Sequence, residues 1–392
     1  MNNKKILAKI LALFFSWRVL LFLAAFLATL IITKFGGRFP YVDRVLTVTG
    51  LPSWVWGFGN FDGVHYLRLA QNGYSAQYSQ AFFPLYPLLI RVFNFLPKGN
   101  LDTNFFVDPS YFYTGLILSN IFFAVSLYLL YKLWYEEYKN KVPNLAVVLL
   151  LTFPTAFYFG SIYSESLFLL LAVLTFWFVR KDKFVLAGIA ASLASATKVQ
   201  GVLLGLFLAI ELYFKYKDKF KNNIGRFWKD LLGVAVSPLG LLAYMFYLGK
   251  NFGNPIYFLT AQPAFGAERS GIPLVSLPQV IYRYIKMLLT VNPTGVSFWN
   301  AALELAVTIF LIWLLVYSFK KIRFSYWIFA LLAAILPTLT GTLSSMPRYA
   351  LLAFPLIPAV TRFEKAGKYI IITQVLLELV LTAIFIRGYW VS

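Results

Sequence analysis

Residues 1–35 read MNNKKILAKILALFFSWRVLLFLAAFLATLIITKF. A secretory leader also opens on lysines, but its apolar part is far shorter than this one and ends at a small-residue cleavage site. No such site follows here, and the run is long enough to cross a bilayer as a helix, which takes about 20 residues. The stretch therefore reads as a first spanning helix over 8–33, retained in the mature protein.

Working outward, similar runs recur to the far end of the 392-residue chain, near 113–132, 144–161, 165–179, 184–197, 200–214, 231–248, 296–318, 324–343, 349–361 and 369–387. Composition agrees: 60% of the residues are hydrophobic and only 13% are charged, against about a quarter charged in soluble domains. The expected fold is an all-α integral membrane bundle of about eleven spans, one domain over 1–392. With no Cys in the chain, a disulfide framework and a thiolate metal site are excluded. The net charge of +20 does not imply nucleic acid, because it is concentrated between apolar runs: RKDK at 180–183, KYKDKFKNNIGRFWK at 215–229 and KKIR at 320–323. Lys139, Lys141, Lys219 and Lys221 belong to the same set of short basic segments. This is the positive-inside pattern, reinforced by anionic lipid head groups. It places the N-terminus in the cytoplasm and leaves two long outer loops, 34–112 and 250–295, with 279–292 as a candidate interfacial or re-entrant helix. Loops of that length without disorder-like composition are usually functional. Pro154, Pro238, Pro337, Pro355 and Pro358 are expected to break spans into half-helices.

Within the first loop, residues 60–87 read NFDGVHYLRLAQNGYSAQYSQAFFPLYP. Asn60 is a candidate N-cap and Gly73 a candidate stop for a helix of about three turns. Helical spacing puts His65, Arg68 and Asn72 on one side with Asp62 at its edge, and Tyr66, Leu67 and Ala70 opposite. In the first turn the helix dipole favours ionised Asp62, and such a carboxylate can act as a general base toward a hydroxyl. The competing reading is that Asp62 only caps the helix and Arg68 only reaches lipid phosphates.

FDGVHYLRLAQNGY (61–74) followed by AFFPLYPLLIR (81–91) resembles the PIG-V family, the second mannosyltransferase of GPI-anchor assembly, and its prokaryotic relatives. SIYSESLF (161–168), ATKVQGVLL (196–204), GNPIYFLTAQ (253–262) and PRYALLAFPLIP (347–358) are similar to further family segments. The chain departs at Phe61, where Trp is expected, and at Lys198 and Gln200, where Arg and Asn are expected. Lysine keeps the charge but loses the bidentate fork. The resemblance implies a GT-C glycosyltransferase with an acidic catalytic base in a large first outer loop. Its sugar donor would be a polyprenyl phosphate. Asp62 is then the base.

Such a donor needs an apolar groove, a carboxylate and a cation for the leaving phosphate. Lys198 and Arg348 are candidate cations, and His65, Arg68, Glu165 and Gln262 candidate substrate or phosphate contacts. Tyr257, Phe258 and Phe265 are candidate sugar-stacking rings. Among the intraspan carboxylates, Glu304 is the best candidate for a buried pair, while Glu211 and Glu378 lie near span ends. Asp43, Asp102, Asp108 and Glu165 are the other outer carboxylates, and none is paired by sequence with Asp62. Inversion is therefore expected rather than a double displacement. A single His and no Asp-x-Asp motif argue against a multi-ligand metal site. A divalent ion on Asp62 and one other carboxylate stays open.

The reading is a multi-pass cell-membrane enzyme, active on the outer face, moving mannose from a polyprenyl-phosphate sugar to a lipid-linked glycan or protein acceptor. No cofactor is firmly indicated, a divalent metal staying open, and no nucleic acid is expected to bind. The alternative is a transporter or flippase of a lipid-linked substrate. It predicts paired midplane charges and internal symmetry.

Overall fold

The computed structural model describes residues 3–37, 39–99, 101–102, 105–138, 142–218, 220, 223–266 and 274–391. Lys139, Lys141, Lys219 and Lys221 of the short basic segments lie outside them. Among the described residues every regular element is helical. Six stretches are long and apolar enough to cross a membrane: Asn3–Ile31, Pro109–Tyr138, Val199–Tyr216, Ile224–Phe252, Val296–Ser318 and Gly367–Ile386. The other five expected spans overlap shorter helical segments, Val142–Leu151, Glu165–Arg180, Phe184–Ser195, Phe324–Thr338 and Met346–Val360, the first and fourth ending well before the expected 161 and 343. The long helices leave large apolar side chains uncovered, Val316 at 72% and Phe246 at 73%. In a multi-pass membrane protein such surface meets acyl chains rather than water.

Two boundaries move for local reasons. The helix expected from 113 starts at Pro109, a residue suited to a first helical position because its missing N–H would have no partner there. The basic stretch 215–229 is not all loop: the amphipathic helix Ile224–Val236 begins inside it. That helix breaks at Ser237–Pro238 before Leu239–Phe252. Pro337 lies in the last turn of Phe324–Thr338, and Pro355 in a kinked 3-10 segment, Ala350–Leu356.

The chain forms two compact units, Met1–Leu170 with Glu364–Val391, and Leu171–Phe363. In the first, helix Asn3–Ile31 packs on Glu364–Ile386 and Pro109–Tyr138. Glu378, near a span end, faces a neighbouring helix rather than water: it is 3% exposed and accepts a 2.8 Å hydrogen bond from Trp17 Nε1. The long first loop packs here as Val42–Val45, Ser53–Trp56, Asp62–Asn72 and Leu85–Val92. In the second unit, Phe184–Ser195 crosses Ile224–Val236 at paired glycines. A Cβ on Gly188 would lie 2.1 Å from the Gly233 carbonyl oxygen, and one on Gly233 2.1 Å from that of Phe184. Only glycine lets the backbones approach so closely. Glu211 is held by Arg180 and Ser325.

Candidate active site

The helix Asp62–Asn72 forms where its periodicity places it and stops at Gly73, whose φ is 65° and whose N–H donates to the Leu69 carbonyl at 3.0 Å. Its start differs from expectation. Asn60 does not cap it: fully buried, its Nδ2 donates to the carbonyls of Phe385 at 2.8 Å and Ile386 at 3.2 Å. Phe61 takes the boundary position at φ 56°, ψ −112°, a conformation that costs a non-glycine residue about 1–3 kcal/mol and persists only where neighbours dictate it. The neighbours are visible. The Phe61 ring packs 4.4 Å from Phe39 and 5.0 Å from Trp390 between centroids, and the Tyr163 hydroxyl donates to the Asn60 carbonyl at 2.9 Å. The turn that sets Asp62 is thus clamped from three sides.

Past that turn, Asp62, His65 and Arg68 form one half-buried stripe, while Gly63, Val64, Tyr66, Leu67, Leu69 and Ala70 are buried. The buried face is fastened by Tyr66, whose hydroxyl lies 3.0 Å from Ser164 Oγ. His65 stacks on Phe82 at 4.8 Å and 18°. Burial pushes its pKa below the ordinary value. The Asp62 charge pulls it up and the Arg68 charge pushes it down further, both more weakly. The Arg68 guanidinium lies 3.7 Å from the centroid of the Tyr41 ring, a cation–π contact. Tyr41 is itself held at φ 71°. The stripe thus presents an acid, a largely neutral imidazole and a guanidinium over an aromatic ring.

Gln71 ties this helix to the rest of the loop. Its Nε2 donates to the Phe106 carbonyl at 2.8 Å, and its Oε1 accepts from the Asp108 N–H at 2.8 Å. Asp108 is 1% exposed and accepts from Gly99 N–H and Ser110 N–H at 2.7 and 2.9 Å. Burial raises its pKa, but those bonds and Lys98 outweigh it, and the net shift is downward. Asp108 is a structural acid at the head of Pro109–Tyr138. Glu165 opens its helix at 2% exposed. Its charge reaches Tyr86, whose hydroxyl is pushed well up, chiefly by burial. Glu165 thus belongs to the packed layer with Ser164 and Tyr86.

The remaining sequence candidates lie in the second unit. Lys198 Nζ and the Arg348 guanidinium carbon flank the same ring, Tyr349, at 5.9 and 5.7 Å from its centroid, and Arg348 is 7% exposed. The turn before Arg348 is fixed by Tyr284, whose hydroxyl bonds to Glu304 and to Thr342 Oγ1 and accepts from the Leu343 N–H at 3.1 Å. Glu304 thus has a buried partner, a phenol. Gln262 Nε2 donates to the Phe258 carbonyl at 3.2 Å. Phe258, read as a stacking ring, is 4% exposed and packs near Tyr244; it is core. The sequence does not single out Tyr41, and Phe82 and Tyr349 stand there only within AFFPLYPLLIR and PRYALLAFPLIP. The signal was present only as ring-rich flanks of charged residues. Among the described residues no three His, Asp or Glu gather in a way that could hold a metal.

The family model described as Mannosyltransferase (PIG-V) matches residues 8–332. A 139-residue segment is 28% identical to GPI mannosyltransferase 2 of Drosophila pseudoobscura pseudoobscura, covering 34% of this chain and 29% of that protein. The match therefore spans less than a third of the curated relative's length.

Proposed function

We propose, given that this chain belongs to the mannosyltransferase (PIG-V) family, that it transfers mannose from a polyprenyl-phosphate donor to an acceptor hydroxyl on a lipid-linked glycan or a protein. The reaction runs on the outer face of the cell membrane, in the first long loop. The carrying observation is Asp62, set in the first turn of its helix by the clamped Phe61 conformation and aligned with His65 and Arg68.

In this reading the Asp62 carboxylate takes the proton from the acceptor hydroxyl, and that oxygen forms the new bond to the anomeric carbon. The bond from that carbon to the phosphate oxygen breaks, and the polyprenyl phosphate leaves with the electron pair. A positioned base contributes about 10²–10⁴-fold. Electrostatic stabilisation of the leaving group is commonly the larger effect, and Arg68, in the same unit as Asp62, is the candidate cation. His65, kept neutral by burial, suits hydrogen bonding to sugar hydroxyls rather than charge pairing. A one-step displacement inverts the anomeric centre. Asp108, already engaged by Ser110 and Gly99, is ill suited to serve as a nucleophile for a double displacement.

The test is transfer by the purified chain from radiolabelled polyprenyl-phosphate mannose and, separately, from a nucleotide-linked mannose. Transfer from the lipid-linked donor alone, with inverted configuration in the product, is expected. Transfer from the nucleotide sugar alone, or retention of configuration, overturns the reading.

A further inference from the structure

In the second unit, a cleft of about 580 Å³ is lined by Asp182, Lys183, Phe184, Leu186, Arg226 and Lys229 together with Asp230. It lies at the N-terminal ends of Phe184–Ser195 and Ile224–Val236, the two helices that cross at Gly188 and Gly233. Its charges are not equivalent. Asp182, held at φ 60°, pairs with Lys215 and Arg226. Asp230 accepts from Lys215 Nζ at 2.5 Å and from the Tyr216 hydroxyl at 2.8 Å. Both acids are therefore neutralised within the protein. Lys183 and Lys229 are exposed, and among the described residues their ammonium groups have no ion-pair partner. Four cations against two acids leave the cluster at +2, with the excess on the two lysines that line the cleft.

The apolar side of the cleft continues. Leu186 lines it, and Ile189 and Leu193 follow at helical spacing on the same face, exposed at 42%, 45% and 42% in turn. Residues three and four apart share a helix face, so the lysine pair borders an uncovered apolar stripe. A small soluble anion has no use for such a stripe. A phosphate carrying an acyl chain matches both parts.

We infer that this cleft is a binding site for a single anionic glycerophospholipid, its phosphate between Lys183 and Lys229 and an acyl chain along Leu186, Ile189 and Leu193. A polybasic contact with an anionic membrane lipid gains about 1 kcal/mol per cation, and Lys183 and Lys229 supply it without breaking an existing ion pair. The site is separate from the transfer reaction and holds whether or not the first loop is catalytic.

Native mass spectrometry of the full chain in detergent, titrated with phosphatidylglycerol, phosphatidylcholine or inorganic phosphate, tests it. Phosphatidylglycerol is expected to bind the Lys183→Gln/Lys229→Gln double variant about thirtyfold more weakly than wild type. Phosphatidylcholine should bind both proteins alike, and millimolar inorganic phosphate should displace nothing. The Lys183→Arg/Lys229→Arg variant keeps the charge and should keep the affinity. Lys250→Gln removes an exposed lysine elsewhere and should change nothing. Undiminished phosphatidylglycerol binding by the Gln double variant overturns the inference, as does an equal loss on Lys250→Gln. Competition by inorganic phosphate also overturns it, since that would make the cleft a small-anion site.

Discussion

Asn60 and Phe385 stand 325 positions apart, yet Asn60 Nδ2 donates to the Phe385 carbonyl at 2.8 Å. The bond ties the turn before Asp62 to the end of the last long helix, inside one compact unit. Helix ends leave carbonyls without intrahelical partners; here Asn60 serves the Ile386 carbonyl at 3.2 Å and shares that of Phe385 with the Gly388 N–H. Asn60→Ala takes that donor from the buried Ile386 carbonyl and leaves the Phe385 carbonyl with the Gly388 N–H alone, a loss of about 1–3 kcal/mol. A melting point lowered by several degrees is expected. Mannosyl transfer, measured well below the transition, should fall by more than the unfolded fraction explains, because the Phe61 turn is no longer held. Transfer that simply tracks the folded fraction would reduce Asn60 to a stability residue.

His65 carries a pH signature. Its folded-state pKa is depressed, chiefly by burial, with Asp62 opposing and Arg68 adding to the shift. Tyr41 and Phe82 are the rings that face it. Above the unfolded value of about 6.5 both states are neutral and the stability is fully present. As pH falls below that value, the unfolded state takes up the proton first and stability is lost through the folded pKa. Melting curves between neutral and mildly acid pH should therefore fall more steeply for wild type than for His65→Gln. Parallel curves would mean that the imidazole is not buried as described.

Arg68 lies over Tyr41 at 3.7 Å, where a planar guanidinium can stack and an ammonium cannot. Arg68→Gln should lower transfer by about 10²-fold if its charge meets the phosphate, and Arg68→Lys should land between that and wild type. Tyr41→Leu should resemble the lysine variant by freeing the guanidinium. If Arg68→Gln transfers at the wild-type rate, Arg68 is a surface anchor, as the competing sequence reading had it.

Gly188 tests the helix crossing independently of catalysis. A Cβ there would lie 2.1 Å from the Gly233 carbonyl oxygen, a backbone atom that a rotamer change cannot move. Gly188→Ala should cost about 1–3 kcal/mol by overpacking, visible as a lower melting point. Gly225→Ala, whose Cβ would meet open space, is the matching control and should melt near wild type.

What the sequence made legible was what repeats locally. The run after Lys5 reads as a span because every residue in it is a neighbour of the next. Asp62, His65 and Arg68 share a stripe because helical spacing alone aligns them. Polar partners brought together by the fold carry no such signal. Trp17 meets Glu378, Tyr284 meets Glu304 and Asn60 meets Phe385 only once the chain has folded. Asn60 looked like a cap because capping is judged from the residues that follow it. Its actual partners came from the far end of the chain. Phe258 looked like a sugar platform, but aromatic residues fill cores as readily as they line sites.

The most direct test of the central claim is the rate of mannosyl transfer from polyprenyl-phosphate mannose by Asp62→Asn protein, matched to wild type in folding and lipid content. The amide preserves shape and removes only the capacity to accept a proton. A fall of about 10²–10⁴-fold with donor binding intact is expected if Asp62 is the general base. A rate within a few-fold of wild type would contradict the account.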